Sequence, residues 1–196
     1  TEACEYTNSF LNFYPKYSII LNIEEDHLDF FKDLDDIRHS FRKFAELLPA
    51  DGALIINADT PKYEMVAENL PCKVITYGLE HDAEYSASDI TYDEFGHPTF
   101  HVLHNGADIG ICSLKVPGIH NVSNALASIA AGRLLGLDNE VIFAGLKDFG
   151  GTDRRFQYKG KVGEVTIIDD YAHHPTEIEA TLHAANNYPH KKIWCV

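Results

Sequence analysis

The sequence predicts an α/β protein with a mostly parallel central sheet flanked by helices and a small antiparallel appendage. Short apolar runs rich in β-branched residues predict buried strands at 17–23, 52–56 and 73–77. Apolar residues at helical spacing predict helices between them, at 35–48 and 61–69. Strand–helix–strand units in succession imply parallel strands with helices on the faces of the sheet.

The antiparallel appendage is predicted between residues 89 and 116. Short strands are expected at 90–92, 99–103 and 109–114, and Asn105-Gly106 between the last two is a hairpin signal. We interpret this region as structural. Three histidines in it would allow a zinc site, although exposed strand histidines are the favoured interpretation; they are His97, His101 and His104.

The last third of the chain continues the alternation of helices and strands. A helix rich in Ala and Leu follows Pro117-Gly118, and its small residues predict close packing on the sheet. A second helix is predicted at 140–149. An apolar run at 192–196 predicts the first strand of a further αβ unit.

Composition excludes several classes of function. The chain of 196 residues is 45% hydrophobic and 23% charged, as in soluble globular proteins. No apolar run approaches the ~20 residues that span a bilayer, and no signal peptide opens the chain, so no membrane partner is expected. A net charge of −14 argues against a nucleic-acid partner but permits a nucleotide site.

Cysteine usage indicates a cellular location, and the chain ends indicate the extent of the protein. Four cysteines without a C-x-x-C pair favour a reduced protein, so a cytoplasmic location is expected. Thr1 in place of an initiator Met, and an apolar run ending at Val196, predict part of a longer protein.

The most informative stretch is Val165–Glu179. It predicts a buried strand over 165–168 and a helix that begins near Pro175. Ionisable and polar groups fill the turn between them: Asp169, Asp170, Tyr171, His173 and His174. Open α/β sheets bind ligands where a strand ends and a helix begins, so we expect a ligand site here. The alternative is an ordinary polar turn.

Three other segments offer groups that bind ligands. His27 lies among carboxylates after the first predicted strand, which suits Mg²⁺ or Mn²⁺, although an acidic helix cap explains the same pattern. Asn121 and Asn124 could read a nucleotide edge or cap a helix. The segment 150–156 combines glycines with two arginines, which suits both a phosphate contact and a domain linker. The sequence contains no G-x-x-x-x-G-K-[ST] phosphate loop.

Taken together, these segments resemble the Mur ligases, the ATP-dependent amide-forming enzymes of peptidoglycan precursor synthesis. Five motifs in the family's order carry the resemblance: Glu2-Ala-Cys-Glu-Tyr, Asn22-Ile-Glu-Glu-Asp-His-Leu-Asp, Pro117-Gly-Ile-His-Asn-Val-Ser-Asn-Ala, Gly151-Thr-Asp-Arg-Arg-Phe and Asp169-Asp-Tyr-Ala-His-His-Pro-Thr-Glu. The last is most similar to the motif of the member that joins L-alanine to UDP-N-acetylmuramate.

The resemblance implies a domain division and a reaction. Residues 1–153 would form a central ATPase domain that lacks its P-loop part, and residues 154–196 would begin a Rossmann-like C-terminal ligase domain. The cofactors would be ATP and Mg²⁺, and the substrates UDP-N-acetylmuramate and L-alanine. The carboxylate of the sugar nucleotide would become an acyl phosphate that the amine attacks.

The resemblance also implies roles for individual residues. Glu2 and His27 would bind Mg²⁺. The nucleotide would be bound by His120, Asn121 and Asn124 on the adenine side, by Arg155 at the phosphates and by Asp170 at the ribose. Arg154, Tyr171 and His173 would lie near the reacting groups. Some family members use a carbamylated lysine, and neither Arg42 nor Lys43 is assigned to that role.

Three other functions stay open at this point. A related recycling ligase attaches a whole tripeptide to the same sugar nucleotide. The chain could be a non-catalytic nucleotide-binding module, since the phosphate loop is absent. A metal-dependent hydrolase would use His27 together with His173 and His174.

Overall fold

The computed structural model describes residues 1–196, which form two compact units, 1–86 and 87–196. The first unit contains, in chain order, a 3-10 helix Tyr6–Asn12, strand β1 Tyr17–Ile20, helix α1 Leu34–Glu46, strand β2 Ala53–Asn57, helix α2 Glu64–Ala67, strand β3 Lys73–Tyr77 and the start of strand β4 Tyr85–Tyr92.

The predicted parallel strands are confirmed. Ile55 of β2 is in register with Ile19 of β1 and with Ile75 of β3, and both pairings are parallel. Strand β2 is buried from Ala53 to Ile56 because it lies between two neighbours and under α1 and α2. Its side chains on one face join a core cluster with residues of both helices.

Helix α1 begins where the sequence provides a cap. The Asp33 side chain accepts a hydrogen bond from the Asp36 N–H at 2.9 Å, and Asp35 and Asp36 place negative charge in the first turn. Helix α2 is shorter than the predicted 61–69. The helix ends at Glu68, whose backbone is extended with ψ of 142°, and left-handed backbone follows at Asn69 and precedes the helix at Lys62, with φ of 55° and 60°.

The second unit continues β4 and adds further elements: strand β5 Pro98–His104, strand β6 Ala107–Ser113, helix α3 Ile119–Leu134, helix α4 Asn139–Asp148, strand β7 Gln157–Val162, strand β8 Val165–Asp169 and helix α5 Pro175–Asn186. Strands β1 to β6 form one sheet in sequence order. Strands β5 and β6 are antiparallel, and positive φ at Asn105 (50°) and Gly106 (78°) makes the predicted tight turn between them. The α/β class, the mostly parallel sheet and the antiparallel appendage are therefore confirmed.

Two predicted strands differ from the structure. Strand β8 forms, but as half of a two-stranded antiparallel sheet with β7, which the sequence did not predict. A two-stranded sheet leaves its side chains open to solvent, so Val165 and Ile167 are 63% and 44% exposed instead of buried. Residues 192–196 form no strand, because they pair with no other strand.

The predicted domain boundary at 153/154 falls within the second compact unit and stays a prediction. No helix has both the length and the apolar character required to cross a bilayer.

Candidate functional site

In the first unit, one imidazole lies between two carboxylates from different parts of the chain. The Nε2 atom of His27 is 3.6 Å from Oε1 of Glu5, and its Nδ1 atom is 3.7 Å from Oδ1 of Asp26. The ligand atoms of these three residues all lie within 4.8 Å of one another. Two carboxylates and an imidazole are a donor set that Mg²⁺ or Mn²⁺ accepts.

The distances suit one cation that binds His27 through Nε2 alone, with Glu5 as its second ligand. With bonds of about 2.1 Å, ligands of an octahedral ion are about 3.0 Å apart when adjacent and about 4.2 Å apart when opposite. The 3.6 Å between His27 and Glu5 falls between these values. Asp26 faces the other nitrogen, which is where a carboxylate orients a metal-binding histidine.

The backbone holds His27 in an uncommon conformation. Its φ is 53°, in the left-handed region, which only a few per cent of residues other than glycine adopt. The Oδ1 atom of Asp26 accepts from the His27 N–H at 2.7 Å, and the His27 carbonyl accepts from Phe30 and Phe31 at 2.8 and 2.9 Å. Several local bonds thus stabilise the strained residue, as is common at functional sites.

Tyr6 links the two chain segments of this cluster. Its ring stacks on the His27 ring with centroids 4.4 Å apart, and its hydroxyl donates to Oδ2 of Asp29 at 2.8 Å. This hydrogen bond, the largest cause, and the nearby negative charge of Asp29 raise the pKa of the Tyr6 hydroxyl.

The candidate metal ligands in the first unit differ in part from those that the sequence suggested. Glu2 is exposed and lies outside the group formed by Glu5, Asp26 and His27, so its role as a metal ligand stays a prediction. Glu5 was missed although it belongs to the same motif, because sequence spacing does not show which of two carboxylates turns towards the histidine. Tyr6 carried no signal beyond its position next to Glu5.

In the second unit, polar residues cluster at the start of α3. The amide nitrogen of Asn121 donates to the Pro117 carbonyl at 2.8 Å and lies 3.1 Å from Nε2 of His120. The Asn124 amide contacts Asn121 Oδ1 at 3.4 Å and is exposed. Neither asparagine caps α3, since its N-cap residue is Gly118 with no side-chain bond.

These contacts determine the proton position on His120. A carbonyl can only accept, so the Asn121 amide nitrogen faces Pro117 and its second hydrogen points to His120 Nε2. The neutral ring therefore carries its proton on Nδ1, which is buried and has no hydrogen-bond partner. Burial lowers the pKa of His120; the charge of Asp170 opposes this shift and that of Arg155 adds to it.

Asp170 stabilises the turn after β8 through two hydrogen bonds. Its two carboxylate oxygens accept from the backbone N–H groups of Phe156 and Ala172, both at 2.7 Å. The N–H of Tyr171 donates to the Arg154 carbonyl at 2.8 Å. These bonds tie the segment 150–156 to the turn, so two stretches that the sequence analysis treated separately form one surface.

Side chains predicted to lie near the reacting groups do lie together. The Arg154 guanidinium sits over the Tyr171 ring at 4.4 Å, and the Tyr171 and His173 rings are 5.3 Å apart. All three side chains are exposed. Cation–π and edge contacts of this kind hold an exposed group of side chains in a defined arrangement.

Glu177 was not predicted as a site residue, yet it organises the start of α5. It accepts from the His173 and His174 backbone N–H groups at 3.3 and 3.5 Å and from Arg155 at 3.1 Å. Burial alone would raise the pKa of Glu177, but these donors outweigh it and lower the pKa. The carboxylate thus also holds Arg155 in place.

Candidate site residues form two groups, one in each unit. The first contains the predicted His27 with Glu5 and Asp26, while the predicted Glu2 lies outside it. The second contains the predicted residues at the start of α3 and around the β8–α5 turn. The predicted histidines of the antiparallel strands do not join a metal-binding group: His97 and His101 instead contact Asp93 and Asp108.

Sequence comparison identifies relatives over the whole chain. The model of the Mur ligase middle domain matches residues 3–132, and the model described as "Mur ligase, glutamate ligase domain" matches residues 154–196. UDP-N-acetylmuramate–L-alanine ligase of Agathobacter rectalis is 59% identical over 98% of this chain and 42% of that protein. The enzyme of the same name from Lachnospira eligens is 58% identical over 100% of this chain and 43% of its own length. The chain thus spans less than half the length of these relatives.

Solved structures agree with this relationship. The UDP-N-acetylmuramate–alanine ligase of Thermotoga maritima has a TM-score of 0.77 and 31% identity over 92% of this chain and 40% of that one. A murein peptide ligase of Psychrobacter arcticus has a TM-score of 0.68 and 30% identity over 91% of this chain and 36% of that one. Since the middle-domain match alone covers more than half of its residues, this chain belongs to the Mur ligase family.

Proposed function

We propose that this chain is part of an ATP-dependent ligase that joins UDP-N-acetylmuramate to L-alanine in peptidoglycan precursor synthesis. The observation that carries the proposal is the 59% identity, over 98% of the chain, to a UDP-N-acetylmuramate–L-alanine ligase. The relatives extend well beyond the matched region, so the activity belongs to the whole protein that contains this chain.

The proposed reaction has two steps. A carboxylate is a poor acyl donor, so the muramoyl carboxylate first takes the γ-phosphoryl group of ATP, which gives an acyl phosphate and ADP. The amine of L-alanine then attacks the acyl carbon, the carbon–oxygen bond to phosphate breaks, and inorganic phosphate leaves with the amide formed. Such phosphoryl transfer depends mainly on positioning and on neutralising charge.

The first-unit cluster fits the Mg²⁺ that this reaction class requires. We assign Glu5 and His27 Nε2 as protein ligands, with Asp26 at the second ring nitrogen and the more remote Glu2 as a further candidate. Bound there, Mg²⁺ would supply positive charge to phosphate oxygens. The Asp26 carboxylate, 3.7 Å from Nδ1, would draw the ring proton to that nitrogen and so leave the Nε2 lone pair for the cation.

We place the nucleotide at the second-unit cluster. The exposed Asn124 amide has one long contact and can bind the adenine edge, while Asn121 and His120 support it from the same turn. Each Asp170 oxygen accepts one backbone bond and retains a lone pair for a ribose hydroxyl. Arg155, held by Glu177, is the candidate for the phosphates.

Arg154, Tyr171 and His173 are proposed to meet the reacting groups. They form one exposed contact group on the loop side of β8, and they offer a cation, a hydroxyl and an imidazole. The arginine suits stabilisation of negative charge on the phosphoryl group, and the other two suit binding of the sugar nucleotide or the amine.

The domain division is also a proposal. Residues 1–153 would belong to the central ATPase domain and residues 154–196 to the C-terminal ligase domain, which is supported by family matches at 3–132 and 154–196. We propose a cytoplasmic location, where UDP-linked precursors and ATP are available, with no nucleic-acid or membrane partner. The charge of −14 supports the absence of a nucleic-acid partner.

The test compares amino acceptors in the full-length protein. Purified protein is incubated with ATP, Mg²⁺ and UDP-N-acetylmuramate, and phosphate release is measured with L-alanine or with the tripeptide that the recycling ligase uses. Release that requires L-alanine, with the amide product seen by mass spectrometry, is the expected result. Preference for the tripeptide would favour the recycling ligase, and no release with either acceptor would contradict a ligase function.

A further inference from the structure

We propose that Gln157 is a positioning residue that fixes the turn carrying Arg154 and Arg155. The inference rests on the roles proposed for the two arginines and adds a residue that lies just outside the matching family motif. The Arg154 guanidinium sits over the Tyr171 ring, whereas Arg155 contacts Glu177. The direction that each guanidinium takes therefore depends on the backbone of this turn.

The backbone is strained on both sides of Arg155. Arg154 and Phe156 have φ of 60° and 46°, in the left-handed region that residues other than glycine seldom adopt. Residues in this region persist only where the surrounding structure holds them there, and they are common at functional sites. The shape of the turn therefore depends on the hydrogen bonds made to it.

The Gln157 side chain supplies two of these bonds. Its Oε1 atom accepts from the Arg154 N–H at 3.0 Å, and its Nε2 atom donates to Oδ1 of Asp153 at 2.7 Å. The partners fix the orientation of the amide, because a backbone N–H can only donate and an ionised carboxylate can only accept. One amide group thus bridges the two residues that precede Arg155.

Gln157 is itself anchored in the small antiparallel sheet. It is the first residue of β7 and is in register with Asp169 of β8. On the far side of the turn, the Asp170 carboxylate accepts from the Phe156 N–H at 2.7 Å. Gln157 therefore holds the left-handed residue before Arg155, and Asp170 holds the one after it.

The first experiment measures amide formation by the full-length enzyme at varied ATP concentration. Gln157→Met keeps the length of the side chain and removes both hydrogen bonds. We expect it to raise the KM for ATP and to lower kcat, each about threefold, because the two arginines lose their fixed directions. Lys161→Met is the matched control at an exposed position of the same strand, and it should behave like the wild type.

The KM for ATP distinguishes positioning from stability. A variant that is merely unfolded in part has less active enzyme, so its apparent kcat falls while its KM for ATP stays the same. Thermal unfolding of Gln157→Met, Lys161→Met and the wild type accompanies the kinetics. Equal KM values for Gln157→Met and the wild type would contradict the inference.

The second experiment reverses the donor and the acceptor of the bridge. Gln157→Glu keeps an acceptor for the Arg154 N–H but puts a second carboxylate beside Asp153, so we expect the same impairment as in Gln157→Met. When Asp153→Asn is added, an amide can again donate to a carboxylate at unchanged net charge, and most of the KM and kcat should return.

These two variants also decide the question if Gln157→Met does not fold. Impairment in Gln157→Glu followed by recovery in the double variant supports the bridge, because general damage to the fold would not be repaired by a second substitution. A fully active Gln157→Glu, or no recovery in the double variant, would contradict it.

Failure of this inference differs from failure of the proposed roles. If Arg154→Met and Arg155→Met impair the reaction while Gln157→Met behaves like the wild type, the arginines keep their roles and Gln157 has no positioning role. If both arginine variants behave like the wild type, the proposed roles are wrong and the inference falls with them.

Discussion

The carboxylate of Asp59 accepts hydrogen bonds from three consecutive backbone N–H groups, those of Leu79, Glu80 and His81, at 2.6, 3.1 and 2.9 Å. The His81 ring adds a contact at 3.0 Å. Burial alone would raise the pKa of Asp59, but these donors outweigh it, so the pKa lies below its usual value. One side chain thus orders the loop that follows β3.

We predict that Asp59→Asn destabilises the protein by about 1–3 kcal/mol at pH 7, because an amide leaves backbone donors unpaired. Since the folded pKa is the lower one, the contribution is present above the unfolded pKa of about 3.9 and is lost as the pH falls through the folded value. Urea unfolding at pH 7 and at lower pH measures both effects.

The control for this prediction is Asp82→Asn, because Asp82 is an exposed aspartate of the same loop. It should unfold like the wild type at each pH. Equal stability of Asp59→Asn and the wild type at pH 7 would mean that the loop bonds contribute little.

For the metal cluster we predict that His27→Ala in the full-length enzyme lowers turnover more than the about 10- to 100-fold cost of losing an outer-shell partner. The melting temperature should change little, because the side chain is 33% exposed and lies outside the core. Turnover at saturating ATP and thermal unfolding are the measurements. His39→Ala, at an exposed position of α1, should leave both unchanged, and a large fall in melting temperature of His27→Ala would indicate a structural role.

Residue types predicted the kinds of chemistry but not every position. His27 could be named as a candidate because an imidazole among carboxylates at a strand end suits Mg²⁺ or Mn²⁺, although an acidic helix cap explains the same pattern. The approach of Glu5 to His27 could not be predicted, since it depends on the path of the backbone around residues such as Thr7 and Asn8, whose left-handed φ values have no sequence signature. Glu177 was read as a helix-terminus charge, and its contact with Arg155 spans two distant segments.

At the scale of elements, α3 and α4 approach each other closely at Gly132. A Cβ atom built on Gly132 would lie 2.8 Å from both Cδ1 and Cγ1 of Ile142. Both residues are buried. The small side chains that the sequence placed along α3 therefore do mark close packing, and part of that packing is against a neighbouring helix.

We predict that Gly132→Ala destabilises the protein, because overpacking of about 1–3 kcal/mol outweighs a helix-propensity gain of about 1 kcal/mol. Ile142→Ala in the same chain removes both clashing atoms, Cδ1 and Cγ1, so the double variant should lose less stability than the two single variants added together. Chemical unfolding of the four proteins forms a double-mutant cycle. Additive effects would show that the two side chains do not meet.

Some helices and strands have a local sequence signal, and others do not. The parallel strands and α1 were predictable from apolar runs, helical spacing and a cap. Strand β7, Gln157–Val162, was not, because its residues Gln-Tyr-Lys-Gly-Lys-Val are mostly polar and it exists only through its pairing with β8. The extent of α2 depended on the extended backbone of Glu68 and on the left-handed backbone of Lys62, which propensity does not reveal.

At the scale of the whole molecule, the 196 residues match only 42% and 43% of the lengths of the two relatives, so we proposed the ligase activity for a longer protein. The fold class and the family could be predicted because strand and helix patterns and the five family motifs are spread along the entire sequence. The contacts within each ligand group could not, because they depend on long-range packing inside each unit that no motif encodes.

We predict that the isolated chain forms no amide from ATP, UDP-N-acetylmuramate and L-alanine and binds ATP at most weakly. The physical reason is the absence of a phosphate loop, G-x-x-x-x-G-K-[ST], from its sequence. Calorimetry with ATP and mass spectrometry of the reaction mixture provide the measurements, with the full-length enzyme as the positive control. Micromolar ATP binding or amide product from the chain alone would contradict the prediction.

The tight turn at Asn105-Gly106 has a consequence for how the chain folds. It joins neighbouring strands, so β5 and β6 can zip together within about 1–10 μs once the turn forms. Ile19 and Ile55 must instead find each other across the whole of α1, and closing that longer loop costs more entropy. We therefore expect a refolding chain to acquire its antiparallel ribbon early and its parallel strands late, which would leave the apolar edge of β2 uncovered in the interval.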